Sequence, residues 1–327
     1  MRCLALADEL KSSGSTVEFI SAKLPGDLIE FTGSKGYKVH TIDEQLDSDL
    51  QIEKILSGKK GYIDWIVFDH YGYDIKNEAA FRKFTKKILV IDDLANRKHD
   101  CDLLLDQNYV KDINRYNPLV PENCDKLLGP QYALLRPEFR EKRKDRTTRS
   151  GEVRRILVML GGSDPDNLTG VVLDGLRLLN RTDIFLDVVI GASNPHREVI
   201  EQKINQMENA SLTVQASNMA ERMIAADLCI GAGGSTSWER MCLGLPAMVI
   251  VIAENQKKIT EELAEDGLAI NLGWHRDITP ESIKDNLEMW LKRPEKLFEI
   301  SSRISDVVDG LGAARVAGRM KEISMQN

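Results

Sequence analysis

The segment from Asp227 to Gln256, DLCIGAGGSTSWERMCLGLPAMVIVIAENQ, gathers residue types that can hold a diphosphate and a ribose. Gly231, Gly233 and Gly234 have no Cβ, so the backbone can turn sharply and approach a ligand closely. Ser235, Thr236 and Ser237 follow as candidate N-caps. A helix starting there would aim free N–H groups and the positive end of its dipole at an anion. Glu239, in its first turn, is placed to accept both hydroxyls of a ribose, as the acidic residue of dinucleotide folds does. A tight strand-to-helix turn with a cap and a dipole-favouring acid accounts for the same letters. Gly161, Gly162 and Asp164, with Asn167 capping the next helix, make a second turn that could cradle an anion. It has neither the Lys-Ser/Thr of a P-loop nor a GxGxxG pattern, and a plain turn with an Asx cap explains it equally well. Asn255 and Gln256 end a following strand, their amides suited to phosphate or sugar hydroxyls, or to capping the helix from Lys257.

In the first half, Asp69, His70, Tyr71 and Gly72 end the strand WIVFD. Asp69 or His70 could serve as a base and Tyr71 as an orienting group, although most Asp residues at strand ends cap turns. Asp92 and Asp93 repeat the geometry after ILVI, and two such acids could polarise a site or hold a cation. With no third carboxylate at suitable spacing, five scattered histidines and no CxxC pair, neither a metal nor another cofactor is expected. Arg136, in LLRPEF, is a candidate partner for a charged group, or a surface Arg.

These residues need a scaffold. Strands read at 17–20, 37–40, 65–69, 88–92 and 103–106, then at 156–160, 186–190, 212–214, 228–230, 248–252 and 269–272, with helices between most of them. That alternation predicts an α/β chain of two Rossmann-like, doubly wound parallel-sheet domains, with ligands at the carboxyl ends of the strands. The run from Arg140 to Glu152 has no apolar residue and reads as a linker. The expected domains are therefore 1–140 and 153–327, joined by 141–152. Cys3, Leu4, Leu6, Ala7 and Leu10 recur at helical spacing, so the chain opens in a helix. Such domains begin with a strand, and one strand with its loop is expected ahead of Met1.

A chain of 327 residues suits two domains, and 29% charged with 42% hydrophobic residues is ordinary globular composition. A net charge of −7 with scattered Lys and Arg argues against nucleic acid, and no apolar run is long enough for a membrane span. Five cysteines without a pairing pattern suggest reduced thiols and a cytoplasmic protein.

GGSDPDN, the DHYG strand end, YALLRPEF, and GAGGSTSWE with its downstream ENQ resemble, in order and spacing over essentially the whole chain, the nucleotide-sugar hydrolases of pseudaminic acid biosynthesis, a route to flagellin glycosylation. That family is similar to the GT-B glycosyltransferases. The resemblance implies two Rossmann-like domains around a cleft. It also implies cleavage of UDP-2,4-diacetamido-2,4,6-trideoxy-β-L-altropyranose to UDP and free sugar, by water attack at the anomeric carbon with inversion. On this sequence it implies uracil against the backbone from Ile190 to Ala192, ribose on Glu239, diphosphate on Gly234 to Ser237 with Asn167 and Asn255 nearby, and Tyr71 orienting sugar or water. It further implies a Gly-x-Gly-His loop just ahead of Met1 whose His activates water. The 327-residue chain would then bind UDP and hydrolyse weakly or not at all. The expected partner is a UDP-sugar, and the expected assembly a monomer or weak oligomer. A glycosyltransferase using the same donor, or a noncatalytic nucleotide-sugar-binding protein, are the competing functions.

Overall fold

The computed structural model describes all residues except Pro25, Lys60 and Asn327. The chain forms two compact units, Met1–Arg136 with Leu311–Asn327, and Pro137–Gly310.

In the first unit the helical spacing near the start yields α1 (Arg2–Ser12), followed by β1 (Glu18–Ala22), α2 (Ile29–Ser34), β2 (Lys38–Ile42), α3 (Ser48–Ser57), β3 (Ile63–Phe68), α4 (Ile75–Phe81), β4 (Thr85–Ile91), β5 (Leu103–Asp106) and β6 (Asp125–Leu128). The strands pair in parallel in two separate sheets, β1–β2 and β3–β4–β5–β6, where a single sheet is expected from sequence. One helix serves both pieces: Leu4 and Ala7 of α1 cluster with Tyr37 and Phe19, while Ala5 and Leu6 join Leu89, Ile91 and Leu103. The helix Gly312–Met325 packs into the second cluster through Val316, Ala317 and Met320. Residues 311–327 therefore belong to the first unit, which corrects the expected domain 153–327. An apolar face at i, i+1 and i+4 goes where the apolar core is.

The second unit runs α5 (Pro137–Arg143), β7 (Arg155–Met159), α6 (Leu168–Leu179), β8 (Phe185–Ile190), α7 (Arg197–Ile204), β9 (Ala210–Val214), α8 (Met219–Ala225), β10 (Leu228–Ala232), α9 (Thr236–Cys242), β11 (Ala247–Val251), α10 (Glu254–Glu265), β12 (Ile270–Trp274), α11 (Pro280–Leu291) and α12 (Pro294–Val307). Its six strands form one parallel sheet in the order β12-β11-β10-β7-β8-β9. The central strands are buried along their length, which is why LCIGA and AMVIV read as unbroken apolar runs. The first strand, β7, lies between β8 and β10, so the winding direction reverses at the β7–β10 boundary. In open α/β sheets, the carboxyl ends of the strands at such a reversal frame the ligand crevice.

The expected linker is part of this unit. Residues 140–143 end α5, and Arg143 donates to the carbonyls of Cys242, Ser305 and Val308. A run without apolar side chains can still be anchored when its cations hydrogen-bond to helix ends. Among the described residues, no helix is long and apolar enough to cross a membrane.

Candidate functional site

β7 and β10 are hydrogen-bonded neighbours, with Met159 opposite Gly231, so the turns that leave them emerge side by side at one sheet edge. These are the two Gly-rich turns singled out in the sequence. Three contacts hold the neighbouring loops in place. His196 Nε2, after β8, lies 2.8 Å from the Pro165 carbonyl, and His275 Nδ1, after β12, lies 2.9 Å from Asp166 Oδ2. Gln256 Oε1 accepts the Ile252 N–H at 3.1 Å, which folds that side chain back beside Gly233 and Gly234. Neither histidine stood out as a site residue, because their partners are far away in sequence.

Within the β10 turn, Ser235 is the N-cap of α9 but its side chain makes no capping bond. Among the described residues, no backbone hydrogen bond uses the N–H groups of Ser235 or Thr236. Gly234 and Thr236 are half-exposed and Ser235 is exposed. The helix behind them has only seven residues. Its capacity for an anion therefore rests on these local N–H groups more than on a long dipole. Glu239 lies half-buried in the first turn of α9.

Several expected ligand groups turn inward. Ser237 is buried, and its Oγ accepts from Arg240 Nη2 at 3.0 Å. Asp164 is buried, with its two carboxylate oxygens taking the Leu168 and Thr169 N–H groups at 2.8 and 2.9 Å, so it holds the start of α6. Asn167 caps that helix through the Gly170 N–H. Gly161 and Gly162 are exposed at the turn. Ile190 is buried and its carbonyl already accepts from Gln215 at 2.8 Å, which leaves the exposed Ala192 and Ser193 as the accessible part of that loop. Helix α10 begins at Glu254 with Ala253 as N-cap, so Asn255 and Gln256 lie in its first turn and are not its caps. Asn255 is exposed.

In the first unit, the end of β3 is organised by α1. Arg2 grips Asp69 through Nε at 3.1 Å and Nη2 at 2.5 Å, and its Nη1 stands 3.5 Å from Asp93 Oδ2. Tyr71 is exposed and donates to the same Asp93 oxygen at 3.2 Å. Asp92 is fully buried, bonded to Tyr116, Ala95 and Arg97, and so belongs to the core of its loop. Burial works to raise the Asp69 pKa, but the hydrogen bonds and charge of Arg2 outweigh it and leave the carboxyl below its usual range. That is the wrong direction for a general base. His70 Nδ1 accepts the Gly72 N–H at 3.0 Å, so the neutral ring carries its proton on Nε2 and cannot take one there. Neither arrangement favours the residue as a base. Arg136 is half-buried and ends the first of the two chain segments that make up the unit.

The Asp69 pair has a pH signature. A depressed carboxyl pKa adds stability that is complete above the unfolded value of about 3.9 and is lost as pH falls through the folded value. The melting temperature of Asp69→Asn is expected below that of wild type at pH 7, with the gap closing in melts taken below about pH 4. A gap unchanged down to about pH 2 would contradict the ion pair.

Residues 156–311 match the Glycosyltransferase family 28 C-terminal domain. Spore coat polysaccharide biosynthesis protein SpsG of Bacillus subtilis (strain 168) is 30% identical over 199 residues, 61% of this chain, which spans only 58% of that relative. A UDP-2,4-diacetamido-2,4,6-trideoxy-β-L-altropyranose hydrolase of Campylobacter jejuni is 28% identical over 257 residues, 78% of this chain and 88% of the hydrolase. The crystal structure of Acinetobacter baumannii MurG superposes with a TM-score of 0.68 at 16% identity, covering 98% of this chain and 95% of MurG. The chain thus has a GT-B fold, its residues 156–311 match the glycosyltransferase family 28 C-terminal domain, and it is similar to a UDP-2,4-diacetamido-2,4,6-trideoxy-β-L-altropyranose hydrolase.

Proposed function

We propose that this chain binds a UDP-linked 2,4-diacetamido-2,4,6-trideoxy sugar and hydrolyses it to UDP and the free sugar. The observation that carries the reading is the pair of turns after β7 and β10, side by side where the winding reverses, with the N–H groups of Ser235 and Thr236 unused by the backbone. The diphosphate sits on those N–H groups and the ribose on Glu239. Water attacks the anomeric carbon from the face opposite UDP, keeps one proton as the new hydroxyl and gives the other up to bulk water. The C–O bond to the phosphate breaks with inversion, and its electron pair leaves with UDP. Negative charge then grows on the departing phosphate, and donors already in place lower the barrier because their bonds strengthen as the charge develops.

The family 28 domain supports a second reading, transfer of the sugar to another acceptor. The two separate when the purified chain is incubated with the UDP-sugar alone. UDP release, with the first-formed anomer inverted by NMR, supports hydrolysis. Release only after an acceptor is added supports transfer. UDP binding with no release under either condition supports a noncatalytic binding protein. In each case Glu239→Gln is expected to weaken UDP about ten- to hundredfold by calorimetry, the value of one or two charge-assisted hydrogen bonds. Unchanged affinity would remove Glu239 from the site.

A further inference from the structure

Behind the β10 turn lies a guanidinium that no expectation from the sequence used. Arg240 is 1% exposed, one of the largest fully buried side chains of the protein. Its Nη2 donates to the Ala232 carbonyl at 3.1 Å and to Ser237 Oγ at 3.0 Å, and its Nη1 reaches Thr236 Oγ1 at 3.4 Å. Its Nε is buried with no hydrogen-bond partner, and among the described residues no carboxylate forms an ion pair with it. Ala232 is the last residue of β10, and Thr236 and Ser237 are the first of α9, so one side chain ties together both ends of the turn 233–235. Space is cut to fit: a Cβ on Gly231 would stand 2.8 Å from Arg240 Nη1 and 2.9 Å from the Met159 carbonyl.

A buried cation that meets only neutral groups, oxygens and the Cys229 thiol, is costly, because they replace just part of its hydration. Its position shows what could offset that cost. The turn it braces presents the unused N–H groups of Ser235 and Thr236, and an anion held there would bring negative charge to the cation's vicinity. We propose that Arg240 is the positioning residue of the diphosphate subsite: from inside the fold it fixes the β10 turn, and it supplies buried positive charge that the bound diphosphate complements. This rests on the UDP reading given above and adds to it a residue that never touches the ligand.

The test compares UDP with uridine, which lacks the diphosphate, on wild type, Arg240→Gln and Arg240→Lys. Calorimetry is used for UDP and ligand-observed NMR for uridine, with thermal melts as a check on folding. Arg240→Gln is expected to lose about tenfold or more in UDP affinity with uridine unchanged, and Arg240→Lys to recover part of the loss. Equal losses for both ligands, or no loss for either, would overturn the assignment, since a residue that merely props the fold cannot distinguish them. If Arg240→Gln does not fold, Ser237→Ala, which removes one anchor of the guanidinium, is judged by the same two outcomes. A wild type that binds uridine as tightly as UDP overturns the diphosphate subsite itself, and Arg240's role with it.

Discussion

Gly191→Ala is expected to destabilise the second unit by about 3 kcal/mol and to weaken UDP binding about 100-fold. The added Cβ would stand 2.1 Å from the Gly162 carbonyl oxygen and 2.7 Å from its Cα. Both are backbone atoms, so no flexible side-chain end can swing aside. One of the two loops must shift, and His196 and Pro165 already hold them together. A shift of about 1 Å between positioning groups is enough to cost two orders of magnitude in a preorganised site. Gly162→Ala is the matched control for stability. Its added Cβ meets nothing within 4 Å, so its unfolding free energy is expected within about 0.5 kcal/mol of wild type. Urea unfolding and UDP calorimetry on the two variants check this. Equal behaviour of both would mean that the loops are not in the contact described.

Much of the second unit is legible in the sequence, because its central strands are apolar runs and most are followed by helices. The strands read at 156–160, 186–190 and 248–252 lie within one residue of β7, β8 and β11 at both ends. The first unit was less legible. β6 holds Asp125 and Lys126 in a four-residue strand, too short and too polar to stand out, and the division into two sheets depends on pairing, which local pattern does not encode. Among site residues, those whose role follows from backbone position, Gly161, Gly162, Gly234, Ser235 and Glu239, lie at the turns where they were placed. Those whose role depends on side-chain direction were open to error. Ser237 and Asp164 point into the fold, and Asp69 is held by an arginine 67 positions away. Arg240 was invisible for the same reason. A lone Arg on a short helix reads as surface until its burial is known.

The charged run from Arg140 to Glu152 leads to the other large effect. Arg149→Ala is expected to cost the second unit about 3 kcal/mol, where a solvated linker residue would cost less than about 0.5 kcal/mol. The Arg149 guanidinium donates through Nε to the Ala226 carbonyl at 3.0 Å, through Nη1 to Leu243 and Gly244 at 2.7 and 2.8 Å, and through Nη2 to Met223 at 2.8 Å. These carbonyls close the C-terminal ends of α8 and α9, where the last C=O groups of a helix lack partners and the dipole is negative. One cation thus caps two helices, and α9 is the helix that follows the β10 turn. Burial, offset in part by Asp227, holds the Arg149 pKa down to about 10, so the group is still charged at neutral pH when it makes these bonds. Removing it leaves several carbonyls without a donor, whereas Arg149→Lys keeps the charge but not the planar fork, and an intermediate loss is expected. Chemical denaturation of the three proteins measures the series. If Arg149→Ala unfolds at the wild-type midpoint, the run is a linker after all, and the ends of α8 and α9 must be held by other groups.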